Sequence, residues 1–81
     1  MTQQELHAEV SPIATQILQI PQFESSVNMS STPEWDSLNH VQLLSAVEKK
    51  FGIEISPDEA FKLTSADRLV QYLHGILKAK Q

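Results

Sequence analysis

The sequence contains no cysteine in 81 residues, so neither a disulfide nor a thiolate metal site is available and stability must come from packing. Its three histidines, His7, His40 and His74, are scattered without metal-ligand spacing, and no metal is expected. Positive charge is scarce: six Lys and Arg stand against ten Asp and Glu, for a formal net charge of -4. Lys49-Lys50 is the only adjacent basic pair. The electrostatic footprint of phosphate-backbone binding is therefore missing, and a nucleic-acid partner is not expected. No apolar run approaches the roughly 20 residues of a membrane span, so membrane insertion is not expected either. Met1-Thr2-Gln3-Gln4-Glu5 lacks the basic start and apolar run of a secretion signal, which makes a cytoplasmic location the expectation.

What is present is an ordinary folded composition, 41% hydrophobic and 20% charged. A chain of this length supports one domain, residues 1–81, with one modest core, and a monomer is expected.

Leu6, Val10, Ile13, Ile17 and Ile20 recur at steps of four and three, which predicts an amphipathic first helix. Pro12 falls inside it, and a kink or a restart with Ser11 as N-cap is expected there. Pro21 ends the pattern. From Pro21 to about Asp36 periodicity disappears, and a long loop is expected, pinned by Phe23, Val27, Met29 and Trp35. A second helix follows from Ser37 to Phe51, with Gly52 as its C′ residue. Its core face carries His40, Leu43, Leu44, Val47 and Phe51; Leu38, Gln42, Ser45 and Lys49 face outward, flanked by Val41 and Glu48. A start at Thr32-Pro33 is the competing reading, and it would put Ser37 one turn inside the helix.

Ile53-Glu54-Ile55 is too short for a sheet and is expected to drop two anchors into the core. Ser56-Pro57-Asp58-Glu59 starts a short third helix reaching Phe61 or Lys62. Thr64-Ser65-Ala66-Asp67 offers a capping box for a last helix with the stripe Ala66, Leu69, Val70, Leu73, Ile76 and Leu77, ending near Lys78 and Lys80. Gly75 costs that helix about 1 kcal/mol relative to alanine, which close helix packing could offset. The expected fold is all-α: a small four-helix bundle of three main helices and one short one, with its long loop between helices one and two.

Asp36, Ser37 and His40 invite a catalytic reading, but a triad needs histidine between serine and carboxylate, and His40 falls on the core face. No enzyme is expected. Asp36 is better read as an N-cap, and an oxygen at Ser37 lies where a helix N-terminus favours phosphate.

Trp35-Asp36-Ser37-Leu38, Val41-Gln42-Leu43-Leu44, Glu48-Lys49-Lys50-Phe51-Gly52-Ile53-Glu54-Ile55 and Leu63-Thr64-Ser65 together resemble the acyl carrier protein family. The likeness runs from Trp35 onward, and more loosely from Leu6. It implies that Ser37 receives 4′-phosphopantetheine from coenzyme A through a separate magnesium-dependent phosphopantetheinyl transferase, and that the arm's thiol carries an acyl or aminoacyl group as a thioester. It also implies that Asp36 caps the helix and takes part in transferase recognition, and that Leu38 and Val41, with Gln42 and Ser45 on the same outward surface, meet partners. Those partners are an acyl- or aminoacyl-loading ligase and downstream transferases or synthases. Carriers of primary fatty-acid synthesis have a glycine shortly before the aspartate and a strongly acidic second helix. Here Glu34-Trp35 precede Asp36, and Asn39, Gln42, Ser45, Lys49 and Lys50 replace much of that acid. A stand-alone carrier of a specialised pathway is therefore expected. The alternatives are a D-alanyl or other aminoacyl or peptidyl carrier, or an unmodified helical interaction module using Leu38, Val41 and the long loop.

Overall fold

Thr2 and Glu5 start the first helix by exchanging hydrogen bonds. The Thr2 hydroxyl accepts from the Glu5 amide at 3.1 Å, and the Glu5 carboxylate accepts from the Thr2 amide at 2.9 Å. This reciprocal cap satisfies two donors at the helix end. In the computed structural model, which describes residues 2–80, helix α1 is Gln3–Leu18. It runs through Pro12 without the restart that the sequence suggests. Pro12 and Ala8 are both exposed, so the carbonyl that loses its donor lies on the wet side of the helix. The buried stripe Leu6, Val10, Ala14 and Leu18 crosses the proline in register. Gln19 then ends α1 in the left-handed region, at φ 55° and ψ 47°.

The loop that follows is tied down at both ends and once in the middle. Phe23 and Trp35 are buried, at 2% and 1% exposure, and Val27 and Met29 pack against the core. The Met29 amide donates to the Thr64 carbonyl at 2.9 Å, and the Ala66 amide to the Val27 carbonyl at 2.8 Å. These two bonds form an antiparallel bridge between Asn28 and Ser65, a seam between distant segments.

Helices α2 (Ser37–Phe51), α3 (Pro57–Ala60) and α4 (Ala66–Lys80) complete the chain. The expected stop of α2 at Gly52 is observed, with φ 64°. Pro57 opens α3 behind Ser56, whose hydroxyl accepts from the Glu59 amide at 3.3 Å. The capping box expected at Thr64–Asp67 does not form. Ser65 caps α4 instead, accepting from the Arg68 amide at 3.1 Å, and an arginine at that position has no carboxylate to return the bond. Asp67 accepts from the Gln71 side chain at 3.0 Å. The Lys80 side chain lies outside the described part of the structure.

The buried residues form one cluster, with Trp35, Leu6, Leu18, Leu43, Leu69 and Leu73 as its largest fully buried members. Helices α2 and α4 both pack on α1, while α3 has no fully buried side chain. Ile53 is buried and Ile55 partly so, as anchors were expected to be. The described residues thus form four helices and no strand, an all-α bundle of three long helices and one short one. Close packing is not the reason for Gly75: a Cβ there would meet nothing within 4 Å.

Candidate functional site

Residues 32–39 set Ser37 at the edge of α2 by local hydrogen bonds. The Trp35 amide donates to the Thr32 carbonyl at 2.9 Å, closing a turn where the competing reading would have started a helix. Asp36 stays extended, and its carboxylate accepts from the Asn39 amide at 2.9 Å. The Asn39 side chain reaches back to the Glu34 carbonyl at 2.8 Å. Ser37 is therefore the first helical residue, and it is exposed. The amides of Ser37 and Leu38 find no partner among the described residues, and they sit at the positive end of the helix dipole. An exposed hydroxyl beside such donors fits a phosphoester, the linkage through which phosphopantetheine attaches to a protein.

Two hollows flank this turn. One, about 580 Å³, is polar and is lined by Gln19, Glu34, Asp36, Asn39 and Gln42. The other, about 210 Å³, is apolar and is lined by Met29, Ser37, His40, Val41, Phe61 and Thr64. Three large hydrophobic side chains stand in solvent on this side of the molecule: Leu38, Val41 and Phe61, at 68%, 61% and 80% exposure. Gln42 and Ser45 are exposed as the helical pattern predicts.

The outward surface of α2 carries no carboxylate. Glu48 is the only acid in the helix, and its carboxylate accepts from the Ile55 amide at 2.8 Å. Lys50 lies 3.9 Å from Glu9 of α1. Leu38, Val41, Gln42 and Ser45 therefore present an apolar and neutral surface, with the exposed Lys49 at its far end.

His40 takes no part in a catalytic chain. It is buried, its Nδ1 accepts from the Trp35 indole N–H at 2.9 Å, and its Nε2 donates to the Ala60 carbonyl at 2.9 Å. Indole only donates and a carbonyl only accepts, so the proton must be on Nε2. Neither nitrogen is left to take a proton from Ser37, which is the physical reason the Asp-Ser-His cluster is not a triad.

Sequence reasoning gave Phe61, Met29 and Thr64 no role at this site, reading Met29 as a loop anchor and Thr64 as a helix cap. It placed Phe61 within or at the end of α3, whereas the helix stops at Ala60 and Phe61 is its exposed capping residue. A signal was available: a four-residue helix has no room for an apolar stripe, so a large side chain at its end need not be buried.

Residues 8–73 match the family described as "Phosphopantetheine attachment site". An acyl carrier protein of Campylobacter hominis is 49% identical over 45 residues, covering 56% of this chain and 57% of that protein. A mitochondrial acyl carrier protein of Dictyostelium discoideum is 47% identical over 45 residues, 56% of this chain and 38% of its own. An acyl carrier protein of Cyanidioschyzon merolae is 32% identical over 75 residues, 90% of this chain and 82% of that one. The first two alignments thus span 57% and 38% of the length of those relatives. The match defines a phosphopantetheine-attachment domain, here built as a helical bundle. The chain belongs to the acyl carrier protein family. Among the described residues no helix is long and apolar enough to cross a membrane, and the presence of a mitochondrial relative means that the family is not confined to one compartment.

Proposed function

We propose that this chain is a stand-alone carrier whose Ser37 oxygen bears the 4′-phosphopantetheine arm, serving a specialised pathway rather than primary fatty-acid synthesis. The observation that carries the attachment point is the position of Ser37, exposed as the first residue of α2 behind the Asp36 cap. In the loading step Ser37 Oγ forms a bond to the pantetheine phosphorus of coenzyme A and the phosphoanhydride bond breaks. Adenosine 3′,5′-bisphosphate leaves with that electron pair, and the hydroxyl proton passes to a base of the transferase. When bound, the arm supplies a thiol that holds acyl or aminoacyl groups as thioesters. The chain itself contributes tethering, since a covalently held intermediate meets each enzyme at high effective concentration.

The specialised pathway is supported by the outward surface of α2, where Leu38, Val41, Gln42 and Ser45 stand without a carboxylate. Partners that meet this surface, a phosphopantetheinyl transferase, a loading ligase and downstream transferases or synthases, gain little from long-range attraction and more from apolar contact. Incubating the protein with coenzyme A, magnesium and a broad-specificity transferase tests the assignment by intact mass. The expected result is a gain of one phosphopantetheine unit in the native sequence and none in Ser37→Ala. An unchanged native mass, or a gain that persists in the variant, contradicts it.

A further inference from the structure

Helix α3 is four residues long and has no fully buried side chain, so neither its length nor its packing holds it firmly. Its ties to α2 are polar. At the front, the Glu48 carboxylate accepts from the Ile55 amide at 2.8 Å. At the rear, His40 Nε2 donates to the Ala60 carbonyl at 2.9 Å, and the Leu63 amide donates to the same oxygen at 3.2 Å. Both lone pairs of that carbonyl are thereby used.

His40 can donate through Nε2 while neutral only if Nδ1 is bare, and the Trp35 indole N–H, 2.9 Å from Nδ1, imposes that tautomer. Trp35 is itself immobilised, 1% exposed, with its ring 5.9 Å from that of Phe23. An indole held by the core thus orients an imidazole, which in turn holds a helix that meets the core through the partly buried Ala60 and has no fully buried side chain.

We propose that His40, oriented by Trp35, is a positioning residue that clamps α3 to α2 and so keeps Phe61 beside Val41 on the rim of the apolar hollow at Ser37. Phe61, Val41, His40 and Ser37 all line that hollow, and Phe61, with Thr64, reaches it from beyond the end of α3. Release of the clamp lets α3 open locally while the packed helices stay closed. The functional consequence rests on the carrier reading above, whereas the clamp itself does not.

The test uses the unmodified full chain, labelled with 15N. In the native protein the His40 imidazole nitrogens should report protonated Nε2 and bare Nδ1, and Trp35→Phe should give a mixture of tautomers. In hydrogen exchange, His40→Ala should accelerate the Ala60, Lys62 and Leu63 amides at least about tenfold, and those of Leu43 and Leu69 less than about twofold. His40→Gln, which offers one acceptor and one donor, should restore most of the protection. Transferase loading should slow in both His40→Ala and Phe61→Ala, with the double variant little worse than either single one. A protonated Nδ1 in the native protein, unchanged α3 exchange in His40→Ala, or equal acceleration in every helix would overturn the clamp. Failure of the carrier reading shows separately, as a native protein that gains no mass, and leaves the exchange and tautomer readouts intact.

Discussion

Asp36 performs a local function that can be separated from the chemistry beside it. Its carboxylate takes one orphan amide of α2, so Asp36→Ala should lower stability by about 1 kcal/mol in denaturant unfolding, while Asp36→Asn should cost much less. This cap was legible in the sequence because it depends on a spacing of three residues. The bond between Trp35 and His40 was not, because which imidazole nitrogen meets the indole depends on how the loop and α3 pack around α2. Gly75 shows the opposite case, where sequence reasoning expected a tertiary cause and none is present. With open space around its Cβ position, Gly75→Ala should stabilise the protein by up to about 1 kcal/mol, seen as a raised thermal midpoint. A loss of stability would show that the glycine has a role in the fold that open space does not reveal.

Among the elements, α1 shows how a pattern can be read correctly while the restart expected at its proline does not occur. The apolar stripe survives Pro12 because the proline lies on the exposed side, a fact of orientation that composition does not carry. The Thr2–Glu5 box was available from spacing alone, and it makes the helix start pH-sensitive. Hydrogen bonds from the Thr2 backbone and side chain hold the Glu5 carboxyl below its ordinary value of 4.5. A carboxyl whose folded pKa is depressed stabilises the fold fully above its unfolded value and loses that contribution as pH falls through the folded one. The N-terminal turn of α1 should therefore fray below about pH 4.5, followed by the amide signals of residues 3–6. Glu5→Gln, which can still close the box but cannot titrate, should remove that dependence. The end of α1 is strained by Gln19 at φ 55°, and Gln19→Gly should stabilise by roughly 1 kcal/mol.

For the whole molecule, the helix order and the core were legible because each long helix repeats its apolar residues at helical spacing. The seam between Asn28 and Ser65 and the exposed Phe61 were not, since both depend on where the loop and α3 come to rest. The surface that results is apolar on the Val41 and Phe61 side of Ser37, polar on the Asp36 side, and poor in acid along α2. Val41→Asp should leave stability within about 0.5 kcal/mol, as the side chain is 61% exposed, yet slow transferase loading about tenfold. The native loading rate should fall less than about threefold between roughly 0.05 and 0.5 M salt, because the outward surface of α2 offers few charges to steer the encounter. The central claim, that Ser37 carries the arm, has an unusually clean readout. The chain has no cysteine, so any thiol found after loading belongs to the arm. Colorimetric thiol titration of the purified protein after treatment with coenzyme A and transferase should find one thiol per chain in the native sequence and none in Ser37→Ala. No thiol in the native protein, or an equal thiol content in the variant, would contradict the assignment.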